Sequence, residues 1–194
     1  MTAARHDVAR HDVEAAAVRI AGRVRRTPVA EADPGTLAPA GLVWLKLEYL
    51  QHAGAFKARG AFNRMLAGVA TALHGRATVV AVEPEAAPTL RAALAAGGPV
   101  DVEVSGVAAD SLGARRAGTI AYDVAVRTGV RSVLVCDEEI VAARRRLWEE
   151  YRIVVEHGSA AAFAALATGA YRPAAGERVA VLLCGANTSP AGLT

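Results

Sequence analysis

The sequence has few aromatic residues, few cysteines and no long apolar run. Aromatics make up 5% of the 194 residues although hydrophobic residues make up 53%, so the core must be built from small and branched aliphatic side chains. Cys136 and Cys184 each end an apolar run, a pattern that excludes a disulfide framework and favours a reducing compartment. No run approaches the roughly 20 apolar residues of a membrane span, and the N-terminal stretch lacks the apolar region of a secretory signal. These absences predict a cytoplasmic protein without a membrane partner.

A concentrated positive charge is also lacking. The formal net charge is +3, and the excess arginines are spread along the chain without interleaved aromatic residues. The one cluster, "RRR" at 144–146, lies in the helical pattern "DEEIVAARRRLWEEYRI" with acidic residues on both sides. Such a pattern is typical of a solvated helix face, and we therefore expect no nucleic-acid partner.

What the sequence does contain is an alternation of apolar strands and helices. A chain of this length predicts a single domain over residues 1–194. The runs "ATVVAVEPE", "VDVEV", "RSVLVCD" and "RVAVLLCGAN" are predicted strands. Because their apolar character is nearly continuous, we expect an α/β fold with three layers, in which a mostly parallel sheet carries helices on both faces. Ligand sites in such sheets lie at the carboxyl ends of strands, where Glu83, Cys136 and the segment 184–187 fall.

Helical spacing lies between these strands. It predicts a first helix that continues to the stop at Pro28, then helices in "APTLRAALAAG", "ADSLGARRAGTIAYDVAVRTG" and "HGSAAAFAALATGAY". Asp137 is the predicted cap of the helix after "RSVLVC".

Lys57 is the first candidate for chemistry. It lies in "GAFKARGAF", where small residues leave room for a flat group beside the backbone and Phe56 offers an apolar face. A buried amine has a lowered pKa and becomes a nucleophile and base. The alternative is a lysine that simply faces water.

The wider motif "LKLEYLQHAGAFKARGAFN" resembles the cofactor-lysine motif of the pyridoxal-phosphate-dependent serine/threonine dehydratases, a fold type II family that also includes tryptophan synthase β-like proteins. Further similar blocks follow in family order: "AVEPEAAPTL", "GVAADSLGARRAG", "LWEEYRIVVEHGSAAAFAAL" and "GERVAVLLCGAN". The resemblance implies a lyase that converts serine or threonine to a 2-oxo acid and ammonia, with pyridoxal 5'-phosphate as the electron sink.

The resemblance also implies roles for particular residues. Lys57 would hold the cofactor covalently and act as the base, and Phe56 would pack beside its ring. Cys184 would be the hydrogen-bond partner of the ring nitrogen, in a loop that includes Gly185 and Asn187. A monovalent or divalent cation would bind Glu83 and the carbonyl of Ala87.

The chain departs from the family pattern after the lysine block. "GAFNRML" runs directly into "AGVATAL", with an apparent junction near residues 66–67, where the family carries most of its small domain, the loop for the substrate carboxylate and a glycine-rich phosphate loop. No run of four glycines exists in the chain. His157 replaces the family's proline in "EHGSA". We therefore interpret the chain as an internally shortened copy, a remnant of the large domain.

Two hypotheses remain open from the sequence. In the first, the chain is a dehydratase of a small hydroxy amino acid with impaired or absent activity, which a partner chain could complete. In the second, it is a non-catalytic remnant or interaction module without bound cofactor. A missing segment would leave a sheet edge unpaired, and such an edge favours a homodimer.

Overall fold

Strands and helices alternate along most of the chain. The computed structural model describes residues 8–39, 41–55 and 62–193. The helices are α1 (Arg10–Ile20), α2 (Phe62–Leu73), α3 (Thr89–Ala96), α4 (Ala109–Leu112), α5 (Thr119–Thr128), α6 (Asp137–Tyr151) and α7 (His157–Ala167). The strands are β1 (Val29–Glu31), β2 (Leu42–Leu47), β3 (Val80–Pro84), β4 (Arg131–Val135) and β5 (Arg178–Leu183), and two short 3-10 helices span Glu48–Leu50 and His52–Gly54. The predicted α/β class is confirmed.

The strands form two sheets. In the first sheet, β2 pairs antiparallel with β1 on one side and parallel with β5 on the other. In the second sheet, β3 pairs parallel with β4. Two of these three pairings are parallel, as the apolar runs predicted. Within the described ranges, however, β3 and β5 each have a neighbouring strand on one side only.

A cavity lies between the two sheets. Its volume is about 520 Å³, and its walls include both β3 and β5 together with α7 residues such as Ala162 and Ala165. The lining is mostly apolar, with Glu83 and Glu177 among the polar exceptions. Two of the strands with a single described neighbour, β3 and β5, therefore border the same empty space.

Helix α7 is the centre of the larger hydrophobic core. Alanine is the best helix former, and the sequence "HGSAAAFAALA" supplies it at most positions. Its small side chains allow close packing against α6, β3, β4 and β5. Phe163 is fully buried, and Ala160, Ala161 and Ala164 are equally inaccessible. The helix predicted from the small-residue run is confirmed, and its position links both sheets.

Three predicted elements differ from the structure, and two of them are helices. The first helix ends at Ile20 rather than continuing toward Pro28, and Gly22 follows it with a positive φ of 74°. The helical run that starts at residue 109 is broken between α4 and α5, where Gly113 is required because a Cβ there would lie 2.1 Å from the carbonyl oxygen of Ala109. The positive φ of Gly22 and the close approach of Gly113 to Ala109 therefore end helices that the spacing of apolar residues would continue.

The third, the run "VDVEV", is not a strand. Its only ladder contact among the described residues is an isolated bridge between Asp101 and Arg116. Asp101 and Glu103 are exposed, and β3 and β4 pair with each other instead. The alternation of apolar and acidic residues was therefore insufficient evidence for a strand, because no neighbouring strand lies beside it.

Two predictions around α6 are wrong. The residue that caps α6 is Cys136, whose backbone N–H donates to the Glu139 carboxylate at 2.8 Å. Asp137 instead accepts a hydrogen bond from the backbone N–H of Val107 at 3.1 Å. The arginine cluster is not uniformly solvated either: Arg145 is exposed, but Arg144 is only 7% exposed. Arg144 is buried because carbonyl groups of two loops accept its hydrogen bonds.

Candidate functional site

The chain before Lys57 lies against the loop that follows β5. Ala55 and Gly185 form an isolated antiparallel β-bridge, and the backbone N–H of Ala186 donates to the carbonyl of Gly54 at 2.8 Å. Ala55 is buried. Two parts of the predicted site, far apart in the sequence, therefore meet at this bridge. Phe56 and Lys57 themselves lie outside the described residues.

Gly185 is fixed from the other side by the start of α7. The Ser159 hydroxyl accepts a hydrogen bond from the Gly185 N–H at 2.7 Å and donates to the Gly185 carbonyl at 3.0 Å. The same carbonyl accepts from the backbone N–H of Glu156 at 3.0 Å. Ser159 is 1% exposed. Both backbone polar groups of Gly185 are thus held by α7 or by the residue that precedes it.

Glycine is required at position 185 by a close approach. A Cβ added there would lie 2.6 Å from Oε1 and 2.9 Å from Cδ of Glu156, well inside van der Waals contact. The Glu156 carboxylate therefore lies directly over the Gly185 backbone and brings negative charge to the loop.

Cys184 precedes this glycine, and its thiol faces the backbone at the end of β5. Its Sγ lies 3.4 Å from the carbonyl oxygen of Leu182, to which the S–H donates. Burial raises the pKa of the Cys184 thiol to about 12, and the negative charge of Glu156 adds to the rise. The thiol is consequently neutral at physiological pH and is not a thiolate nucleophile; its one S–H proton is donated to the Leu182 carbonyl.

Asn187 lies further along the same loop in an exposed position. The loop continues through Thr188 and Ser189, both of which contact the Arg144 guanidinium. Cys184, Gly185 and Asn187 are the candidates that could be selected before the structure was known. Their partners Ser159, Glu156 and Arg144 were missed, since nothing in the spacing of these residues shows that α6 and α7 meet this loop.

The carboxylate of Glu83 is occupied by hydrogen bonds from the protein itself. Its carboxylate accepts hydrogen bonds from the backbone N–H groups of Leu90 and Arg91 at 2.6 and 2.8 Å, and from the Ser132 hydroxyl at 3.3 Å. It thereby satisfies donors at the start of α3, where the helix dipole favours a negative charge.

The predicted cation site at Glu83 is not supported. The carbonyl of its other predicted ligand, Ala87, accepts from the Thr89 N–H at 3.0 Å. In the described part of the chain no group of three or more His, Cys, Asp or Glu side chains is arranged to hold a metal ion.

No described helix is long and apolar enough to span a membrane.

The α/β fold is similar to that of a threonine deaminase. The threonine deaminase of T.th. superposes with a TM-score of 0.81 over 94% of this chain and 99% of that chain, at 23% identity. The sequence signature of "Pyridoxal-phosphate dependent enzyme" matches residues 64–185. The chain therefore belongs to the pyridoxal-phosphate-dependent enzyme family of fold type II.

Two relatives show which members of the family the chain resembles in sequence. A phenylserine dehydratase from Ralstonia pickettii is 38% identical over 157 residues, which cover 78% of this chain and 48% of that protein. The biosynthetic L-threonine dehydratase of Escherichia coli is 35% identical over 116 residues, which cover 59% of this chain and 23% of that protein. The chain thus resembles the dehydratase branch of the family, and it spans less than half the length of either relative.

Proposed function

We propose that this chain binds pyridoxal 5'-phosphate through Lys57 and acts, weakly on its own, in the dehydration and deamination of a small hydroxy amino acid. The observation that carries the proposal is the bridge between Ala55 and Gly185. Lys57 is two residues beyond Ala55, so the covalent chain keeps its Cα within about 7 Å of the Ala55 Cα. This short covalent link supports the proposal that Lys57 acts together with the loop that begins at Cys184. The relatives named as phenylserine and threonine dehydratases support a hydroxy amino acid as the substrate, although the phenyl group of phenylserine does not support the small size.

The residues near this bridge fit the ring end of the cofactor. The neutral Cys184 S–H would donate to a ring nitrogen after turning away from the Leu182 carbonyl, to which it donates in this structure. Cys184 is held next to Gly185, whose backbone N–H donates to the Ser159 hydroxyl. Phe56 is the residue we expect to pack against the ring.

Bound pyridoxal phosphate supplies an electron sink that makes the proton on the substrate α-carbon removable. The Nζ atom of Lys57, freed when the substrate amine takes its place on the cofactor, is the proposed base that accepts this proton. Lys57 would then return a proton to the β-hydroxyl, which would leave as water. The 2-oxo acid and ammonia follow after water is added back.

The phosphate end of the cofactor is the weak part of the site. A phosphate dianion requires several converging backbone N–H groups, usually from a glycine-rich loop, and the longest glycine run in this chain is the pair at 97–98. The proposed junction at 66–67 falls inside α2, which continues without a break from Phe62 to Leu73. We infer that two helices, normally separated by the missing segment, are joined here into one. Poor cofactor positioning is expected to reduce activity, because orientation contributes much of the rate.

Activity can be tested with a matched pair of variants, because the chain has two lysines, Lys46 and Lys57. Lys46 is half-buried and donates to the Thr27 carbonyl at 2.5 Å. The variants Lys57→Arg and Lys46→Arg both keep the charge and remove the amine. With excess pyridoxal phosphate and phenylserine, threonine or serine, we expect 2-oxo acid formation above the free-cofactor background for the wild type and Lys46→Arg, but not for Lys57→Arg. Equal rates for both variants and the wild type would refute a catalytic Lys57.

The alternative function, an interaction module, is favoured by one observation: β3 and β5 border the same cavity and lack a second neighbour among the described residues. Unpaired strand edges are templates for pairing with another chain. We propose a second copy of this chain as the occupant, because it presents the same unpaired edges. Ala180 on β5 is exposed and lines the cavity.

A homodimer through this edge is testable by light scattering across a concentration series. We expect dimers for the wild type and monomers for Ala180→Glu, since the variant places a charge at the edge. Arg145→Glu, an exposed change on α6, is the control and should remain dimeric. A wild-type monomer at all concentrations would exclude this alternative.

A further inference from the structure

Arg144 differs from its two arginine neighbours on α6. Arg145 is exposed, and Arg146 forms an ion pair with Glu150 at 2.6 Å near the surface. Arg144 is 7% exposed and makes no ion pair with any described carboxylate. Burying a guanidinium costs several kcal/mol unless its donors are satisfied. Its hydrogen bonds must therefore account for its position.

Those hydrogen bonds join two loops. Nε of Arg144 donates to the Val155 carbonyl at 2.8 Å. Nη2 donates to the Ser189 carbonyl at 2.6 Å and to the Thr188 hydroxyl at 3.3 Å. One guanidinium thus holds the segment before α7 and the segment after Cys184 at the same time.

The two loops held by Arg144 are the ones that meet at Gly185. Val155 immediately precedes Glu156, whose N–H donates to the Gly185 carbonyl. Thr188 and Ser189 end the loop that begins at Cys184. Planar, fixed donors make arginine suited to such a two-sided contact, whereas lysine offers a single point charge.

We propose that Arg144 is a positioning residue for the cofactor: it fixes the segment 184–189, here called the cysteine loop, against residues 155–159. Correct placement of the Cys184 thiol then depends on the Arg144 guanidinium. The role of Arg144 in cofactor binding rests on the proposed function. The effect of Arg144 on the position of the cysteine loop is independent of that function.

The variants Arg144→Met, Arg144→Lys and Thr188→Val test this role, and Arg145→Met is the matched control. Arg144→Met keeps most of the side-chain length and removes the donors, and Arg144→Lys keeps the charge without the two-sided geometry. Thr188→Val removes one contact and leaves α6 intact, so it remains informative if the arginine variants fail to fold. Urea unfolding identifies the variants that are folded under the assay conditions.

The first readout is the Kd for pyridoxal phosphate, titrated by absorbance on folded protein. We expect Arg144→Met and Arg144→Lys to weaken binding about tenfold or more, the scale seen when partners of ligating residues are removed. Thr188→Val should weaken it less, and Arg145→Met should match the wild type. A general loss of stability would not by itself change the Kd of a protein that remains fully folded.

The second readout is amide hydrogen exchange in residues 184–189, which requires no cofactor. We expect faster exchange there in the Arg144 variants and in Thr188→Val, with unchanged exchange in the α7 core. If wild-type protein fails to bind the cofactor, the proposed function fails and exchange alone decides the role of Arg144. Unchanged exchange in the cysteine loop, or equal Kd values for Arg144→Met and Arg145→Met, would overturn the proposal.

Discussion

Replacing Ser159 with alanine should destabilise the protein through Gly185. The Ser159 hydroxyl is buried and makes hydrogen bonds of 2.7 and 3.0 Å with the Gly185 N–H and carbonyl. In Ser159→Ala the Gly185 N–H loses its side-chain partner in the interior, a loss of about 1–3 kcal/mol. The carbonyl keeps its hydrogen bond from the Glu156 N–H, so its loss is smaller, about 0.5 kcal/mol. We therefore expect a decrease of about 2 kcal/mol in the free energy of unfolding.

Urea denaturation followed by circular dichroism measures this change directly. Ser105→Ala is the control, because Ser105 is an exposed serine. Exposed substitutions of this kind change stability by less than about 0.5 kcal/mol. The midpoint should shift for Ser159→Ala with an unchanged dependence on urea concentration. A change as small as that of the control would refute the inference that Ser159 holds the Gly185 backbone.

Three further predictions concern the same region and the second sheet. Gly185→Ala should lower the free energy of unfolding by about 1–3 kcal/mol, since the new methyl group overlaps the Glu156 carboxylate. In the double variant with Glu156→Ala, urea denaturation should show a loss of stability smaller than the sum of the two single losses. Additive losses would contradict the overlap. Burial raises the pKa of Glu83 above its ordinary 4.5 despite backbone hydrogen bonds that lower it, so the native state binds this proton more readily than the unfolded chain. The contribution of protonated Glu83 to the free energy of unfolding is full below the unfolded-state pKa and is lost as the pH rises through the folded-state pKa. The stability of the wild type relative to Glu83→Gln should therefore decrease as the pH rises from 4.5. An increase in this relative stability would contradict a raised pKa for Glu83. Burial of Cys184, with its pKa raised from 9.0 to about 12, should slow alkylation at pH 8 in Cys136→Ser protein by roughly 10³-fold relative to the urea-unfolded chain, and equal rates would exclude a neutral, protected thiol.

Much of the fold could be predicted from the sequence because the elements carry local signals. Strands β3, β4 and β5 are short apolar runs bounded by polar residues, and α7 is a run of alanines. Gly97 ends α3 in the left-handed conformation, at the end of the predicted helical run "APTLRAALAAG". Errors arose where tertiary contacts decide the outcome. The segment 100–104 has a strand-like pattern without a neighbouring strand, and Arg144 has the sequence context of a surface residue but lies between two loops.

Only some residues of the candidate site could be predicted from the sequence. Cys184 and Gly185 could be selected from their position after an apolar strand and from the family resemblance. Ser159 and Glu156, which hold and cover Gly185, are 26 and 29 residues away in sequence numbering, and no periodicity links them to it. Their role depends on the packing of α7 against β5, which is a property of the folded chain.

Lys57 and the cysteine loop are proposed to form a cofactor site in this chain. Borohydride reduction of the protein mixed with pyridoxal phosphate, followed by peptide mass mapping, shows whether the cofactor reacts with Lys57. Because the chain has two lysines, the position of the label is unambiguous. We predict a pyridoxyl label on the peptide that contains Lys57, with Lys46 unmodified at equimolar cofactor. Label on Lys46 or the N-terminal amine in place of Lys57, or no label at all, would contradict a cofactor site at Lys57.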